Sequence, residues 1–135
     1  MTGQVIYLSW ITRDMVRAEP NSIFVFGDNV QRIGMGGQAG AMRGERNAQG
    51  VATKVAPGMA DADFYTDAEP EWLAVVAENL AEIARHLSTG KTVYVPRDGL
   101  GTGLSELPKR APALANFITS FFRACPGEPC PWEFV

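Results

Sequence analysis

Two adjoining stretches decide the fold: IFVFGDN at residues 23–29 and GMGGQAG at residues 34–40. The four apolar residues at 23–26 predict a short buried strand, and the polar pair at 28–29 lies where that strand should end. Ligands of open α/β sheets bind at the carboxyl ends of strands, and the backbone N–H groups of glycine loops and helix N-termini bind anions. The two stretches therefore predict a binding loop for a phosphate-containing ligand. The alternative is a glycine-rich surface turn.

A second strand followed by glycines occurs later in the chain, where TVYV at 92–95 runs into PRDGLGTG at 96–103. An amphipathic helix is predicted before it, at 69–87, because apolar residues recur there at three- and four-residue steps. Strands that alternate with helices favour a mainly parallel sheet covered on both faces. We therefore expect both glycine loops at one edge of the sheet, where they can hold a pair of phosphates from two sides.

The remaining elements are predicted from shorter patterns. We expect further strands at 4–8 and 51–55, and further helices at 12–18, 39–43 and 107–123. The stretches 43–50 and 56–68 are predicted to be loops, and Trp132 and Phe134 favour an added edge strand in the tail. The whole chain, residues 1–135, is predicted to form a single three-layer α/β domain with a mixed, mainly parallel sheet and helices on both faces.

Composition narrows the function classes. The 135 residues carry a formal net charge of −3, which disfavours non-specific binding to nucleic-acid phosphates. We expect no membrane-spanning segment, no cofactor and no metal site, and a cytoplasmic location. Cys125 and Cys130 are predicted to be free thiols, although the short stretch between them would also permit a disulfide.

Four motifs together resemble the macrodomain family, the α/β fold that binds ADP-ribose. Asn29 lies where macrodomains keep an asparagine that faces the distal ribose. Residues 34–41 resemble their first glycine loop, and residues 92–103 resemble their late strand and second phosphate loop. Residues 9–12 (SWIT) lie where many members carry Gly-Asp-Ile-Thr. The resemblance spans residues 5 to about 122, and it implies a macrodomain-like fold that binds ADP-ribose.

A closer similarity is to the macrodomain branch that removes ADP-ribose from acidic side chains or DNA bases. That branch has a strand ending in Thr-Lys and the motif Pro-Arg-x-Gly-x-Gly, which correspond here to Thr53-Lys54 and residues 96–101. The resemblance implies that Lys54 is catalytic, since an amine can attack an opened ribose and form a covalent intermediate. The alternative is that Lys54 only pairs with a phosphate. Two positions depart from the pattern: Trp10 replaces the aspartate that reads the adenine amine, and Gly103 replaces an aspartate that assists product release.

The candidate site follows from these motifs. The catalytic candidates are Lys54 and Asp98, with Asp28 as a second assisting carboxylate. The ligand-binding candidates lie in the two loops and at the strand ends: Trp10, Gly27, Asp28, Asn29, Gly34, Gly36, Gly37, Gln38, Ala39, Thr53, Pro96, Arg97, Gly99, Leu100, Gly101, Thr102 and Gly103. The predicted partners are ADP-ribose or a related nucleotide and, for an enzyme, an ADP-ribosylated protein or nucleic acid.

Several interpretations stay open at the level of sequence. Phe64 and Tyr65 form either a small hydrophobic cluster or a lid over a base, and Arg43 and Arg46 are either solvated or contact nucleic-acid phosphates. The protein is either an ADP-ribosyl glycohydrolase or a non-catalytic module that senses ADP-ribose. A third reading is a module for another phosphate ligand, such as a cyclic or signalling nucleotide.

Overall fold

The computed structural model describes residues 2–133. The strands are β1 (Gln4–Leu8), β2 (Ile23–Asn29), β3 (Ala48–Lys54) and β4 (Thr92–Pro96). The α-helices are α1 (Arg13–Ala18), α2 (Ala39–Met42), α3 (Pro70–Ser88), α4 (Leu107–Arg110) and α5 (Pro112–Ala124), with a 3-10 helix at Asp61–Asp63. The four strands form one parallel sheet in the order β1-β4-β2-β3, which confirms the predicted α/β class.

The sheet is buried on both faces. Phe24 and Phe26 pack on one side with Val16 of α1 and Met42 of α2. The alternate residue Val25 joins the larger core on the other side, together with the apolar stripes of α3 and α5. Successive side chains of a strand point to opposite faces, so a continuous apolar run is what a doubly covered central strand requires. The expected helices on both faces are therefore confirmed.

Two predicted elements have different bounds in the structure, for identifiable reasons. β3 begins at Ala48 rather than 51, because residues 48–50 pair with β2 although their side chains are only half-buried at the sheet edge. The single helix predicted at 107–123 is interrupted at Ala111, whose φ of −143° and ψ of 68° are not helical. Pro112 disfavours the helical conformation at the residue before it, so α5 starts afresh there.

Up to residue 133, where the described residues end, the tail packs against β1 and forms a single bridge rather than the predicted edge strand. Val5 and Gly127 form a single parallel bridge, and the Tyr7 N–H donates to Glu128 Oε1 over 2.8 Å. The Trp132 side chain is buried, and its Nε1 donates to the Arg97 carbonyl over 2.9 Å. Phe134 lies outside the described residues. The tail thus contacts the start of the second glycine loop.

Residues 2–133 contain no helix that could span a membrane and no cluster of metal ligands, and both cysteines are free. Within residues 2–133, the helices are all too short or too polar to cross a membrane. The same part of the chain contains no group of three or more histidine, cysteine or acidic residues placed to hold a metal ion. Cys125 and Cys130 are both free and half-buried.

Candidate functional site

A cavity of about 290 Å³ opens where the first and second glycine loops meet. β2 and β4 are hydrogen-bonded neighbours, so the loops that follow them leave the sheet side by side at its carboxyl edge. The lining is Gly27, Asp28, Asn29, Ile33, Gly34, Met35, Gly36, Gly37, Gln38, Ala39, Arg43, Lys54, Pro57, Pro96, Gly99, Gly101, Thr102, Gly103, Leu104 and Ser105. The structure therefore brings most of the predicted site residues together around one space.

The first glycine loop is held in place by Arg43. Its Nε donates to the Gly34 carbonyl over 2.7 Å, and its Nη2 donates to the Ile33 carbonyl over 3.2 Å. The same guanidinium contacts both carboxylate oxygens of Asp28, whose side chain is 3% exposed. Arg43 thus connects the end of β2 to the loop that follows, which corrects the sequence-based alternative of a solvated side chain.

Asp28 has a second cationic partner. The Arg32 Nη1 lies 3.2 Å from Asp28 Oδ2, and the Asn29 N–H donates to Asp28 Oδ1 over 2.8 Å. Arg32 also donates to the side chain of Asn79, a buried residue of α3 whose Oδ1 accepts from the Ala52 N–H. With its oxygens satisfied by protein groups, Asp28 acts as the centre of a network that orders the loop.

The second glycine loop passes close over β3. Gly101 has a φ of +79°, and a Cβ built there would lie 2.9 Å from the Leu107 Cβ and 3.0 Å from the Thr53 Cβ. Thr53 is fully buried, and its Oγ1 lies 2.8 Å from Ser105 Oγ. The predicted binding residue Thr53 therefore lies beneath the loop and does not line the cavity.

We expect Gly101→Ala to lower the free energy of unfolding by about 2 kcal/mol. The alanine would have to adopt a left-handed backbone conformation, and its Cβ would clash with Leu107 and Thr53. Gly103→Ala is the matched control: a Cβ at Gly103 meets nothing within 4 Å. Urea denaturation of both variants tests this. Equal midpoints for the two variants would contradict the close packing of the second loop on β3.

Asn29 lines the cavity and has an unpaired side-chain oxygen. Its Nδ2 donates to the Ile33 carbonyl over 2.7 Å, which fixes the orientation of the amide. Its Oδ1 is buried, and no described residue donates a hydrogen bond to it. Buried polar atoms in proteins are normally hydrogen-bonded, and an unpaired one costs about 1–3 kcal/mol. The unpaired oxygen makes Asn29 a candidate to accept a hydrogen bond from a ligand hydroxyl.

Lys54 is a lysine with only 4% of its surface exposed, located at the end of β3 next to Asn29 in the strand register. Its Nζ donates to the Gly58 carbonyl over 2.7 Å and lies 4.3 Å from the centre of the Phe64 ring. Burial lowers the pKa of Lys54 from its ordinary value; Arg110 adds to this, while Asp63 and Glu106 oppose it. A lowered pKa makes the neutral, nucleophilic amine more abundant near neutral pH.

Four other predicted residues do not line the cavity. Trp10 is 60% exposed, Arg97 and Asp98 are exposed, and Leu100 belongs to the hydrophobic core. The Arg97 N–H instead donates to the Leu8 carbonyl, and the Asp98 carbonyl accepts from Thr102. The carboxylates that influence Lys54 electrostatically are Asp63 and Glu106 rather than Asp98.

The lid interpretation of Phe64 and Tyr65 is wrong. Tyr65 is 1% exposed and stacks on Trp72, with ring centres 5.1 Å apart. Phe64 is 2% exposed, and the cations of Lys54 and Arg110 lie 4.3 Å and 3.6 Å from its ring centre. Both rings are therefore buried in the interior, and Phe64 packs against Lys54.

Sequence reasoning missed six lining residues: Ile33, Met35, Arg43, Pro57, Leu104 and Ser105. Ile33, Met35 and Leu104 are large apolar side chains that remain more than half exposed at the mouth of the cavity. A Cβ at Gly36 would lie 3.3 Å from Leu104, so the two loops nearly touch there. Met35 and Leu104 lie within or beside the glycine motifs, and that adjacency was the signal that could have identified them.

Comparison with known proteins gives one match. Residues 6–121 match the model of a family whose description is "Family of unknown function (DUF7831)". No curated protein and no solved structure matches the chain. The matched range contains every residue that lines the cavity.

Proposed function

This chain belongs to the DUF7831 family, and we propose that its cavity binds ADP-ribose, or an ADP-ribosyl group on a macromolecule, and that Lys54 releases that group. The observation that carries the proposal is one cavity enclosed by two glycine loops, with the unpaired Asn29 oxygen and the buried Lys54 both in its wall. The resemblance of these motifs to the ADP-ribose-removing macrodomains supports the choice of ligand.

The backbone of the two loops suits an anionic ligand. Among the charged lining residues, Arg43 is paired with Asp28, and Lys54 is positively charged only while its amine is protonated. Gly34, Gly37, Gly99 and Gly101 have φ values between 58° and 107°, so the two loops adopt conformations that favour glycine. Backbone N–H groups in such loops favour phosphate groups.

Release of the ADP-ribosyl group follows from the chemistry of an amine. Neutral Lys54 Nζ attacks C1 of the opened ribose, the bond from C1 to the target atom breaks, and the target leaves with a proton. Water then hydrolyses the nitrogen–carbon bond, which releases ADP-ribose and restores the amine.

The alternative function is a non-catalytic module. It is favoured by the exposed position of Asp98 and by the bond from Lys54 to Gly58.

We expect calorimetric titration of the pure protein to give micromolar binding of ADP-ribose and weaker binding of ATP and NAD. Asn29→Ala should lower the affinity about tenfold, since it removes the oxygen available to a ribose hydroxyl, and tenfold corresponds to about 1.4 kcal/mol. The matched control is Asn116→Ala, an exposed asparagine on α5.

Each outcome has a clear meaning. No heat with ADP-ribose would reject the proposed ligand. Unchanged affinity in Asn29→Ala would reject the role of its oxygen while leaving the ligand in place. Release of product from an ADP-ribosylated substrate by the pure protein would reject the non-catalytic alternative.

A further inference from the structure

The cavity wall contains no aromatic side chain among the residues that the structure describes. Protein sites that bind nucleobases commonly stack them on aromatic rings, which contributes about 1–3 kcal/mol per base. The cavity volume of about 290 Å³ is at the lower end for ligand sites. A site of this size and composition is better suited to a sugar and its phosphates than to a base.

The backbone next to Trp10 is already paired within the protein. The Ile11 N–H donates to Gln38 Oε1 over 2.8 Å, and Gln38 Nε2 donates to the Ile11 carbonyl over 2.8 Å. This two-bond contact uses the donor and the acceptor that an edge of a base would need. The side chain of Ile11 is itself fully buried. The backbone of Ile11 is therefore already engaged by Gln38.

The polar residues that line the cavity suit the sugar and phosphate end of a ligand. The unpaired Oδ1 of Asn29 can accept from a hydroxyl, and the two glycine loops favour phosphate oxygens. Ile33, Met35 and Leu104 border the mouth as flexible or branched apolar side chains without hydrogen-bonding groups. Such a border can contact any base but cannot distinguish one from another, because discrimination requires matched donors and acceptors.

Building on the proposed function, we infer that this protein recognises the diphosphoribose part of its ligand and accepts bases other than adenine. Its substrates are therefore nucleoside-diphosphate-ribose groups, whichever base they carry. Trp10 lies on the outer surface, beyond the wall of the cavity, and does not contribute to base recognition.

Calorimetry with ADP-ribose, the guanine counterpart GDP-ribose, and adenosine tests this inference. We expect the Kd values of the two diphosphoribose ligands to agree within about fivefold, and adenosine to give no saturable binding. ADP-ribose binding more than about fivefold tighter than GDP-ribose, or saturable binding of adenosine, would overturn the inference while leaving the proposed function intact. If neither diphosphoribose ligand bound, the proposed function itself would fail.

A variant gives an independent readout. Trp10→Ala removes a largely exposed side chain, so the variant should fold with an unchanged melting temperature. We expect its Kd for ADP-ribose to stay within about fivefold of the wild-type value. A larger loss of affinity in the folded variant would mean that Trp10 stacks on the base, and that result would overturn the inference.

Discussion

Lys54→Met is expected to lower the turnover of an ADP-ribosylated substrate by about a thousandfold or more, which corresponds to about 4 kcal/mol of transition-state stabilisation. Methionine preserves the length of the side chain but has no nucleophilic amine. The Kd for ADP-ribose should change less than about tenfold, because Lys54 is one of several polar groups in the wall. Single-turnover kinetics together with calorimetry separates the two effects.

The matched control is Lys109→Met, which removes an exposed lysine on α4. This variant should retain wild-type turnover. Equal turnover in Lys54→Met and the wild type would contradict the catalytic role of Lys54 and leave the non-catalytic module as the better proposal. Loss of both binding and turnover would indicate that Lys54 holds a phosphate rather than attacking the ribose.

The lowered pKa of Lys54 gives the reaction a defined pH dependence. Below that pKa the amine is protonated and cannot attack, so the rate should rise with pH and level off once the amine is neutral.

The free energy of unfolding should also depend on the titration of Lys54. Between the folded pKa and the unfolded value of about 10.5, the unfolded chain binds more protons at this site. The unfolding free energy of the wild type should therefore rise with pH relative to Lys54→Met in that window.

Much of the fold could be predicted because its signals are local. The apolar run of β2 and the stripe of α3 each define an element from neighbouring residues alone. The break at Ala111 is also local, since Pro112 restricts the residue before it. The early start of β3 at Ala48 is different. It depends on pairing with β2, and nothing in the composition of residues 48–50 signals a strand.

The candidate site was predictable in its location but not in its internal contacts. The glycines and strand ends place the cavity, because a parallel sheet brings neighbouring strand ends together. The role of Arg43 could not be read from the sequence: its partner Asp28 is fifteen residues away, and only the path of the loop brings them into contact. Asp98 belongs to the second glycine loop but does not line the cavity. Its position in the sequence does not fix the direction in which its side chain points.

Arg43→Met is expected to lower the free energy of unfolding by about 3 kcal/mol and the melting temperature by about 10 °C. The variant leaves the carboxylate of Asp28 buried with Arg32 as its remaining cationic partner. The carbonyls of Gly34 and Ile33 also lose their donor, so the first loop is no longer fixed. We expect the affinity for ADP-ribose to fall at least about tenfold at a temperature where the variant is folded, because the loop must then be ordered during binding.

A double-mutant cycle with Asp28→Asn distinguishes this network from a general loss of packing. Asparagine removes the buried charge, so the double variant Asp28→Asn/Arg43→Met should be more stable than the sum of the single changes implies, by about 2 kcal/mol. Arg46→Met, which removes an exposed arginine of the same segment, should change stability by less than about 0.5 kcal/mol. Strict additivity in the cycle would mean that Arg43 stabilises the loop through its carbonyl contacts alone. A wild-type affinity in folded Arg43→Met would show that the loop keeps its conformation without this contact.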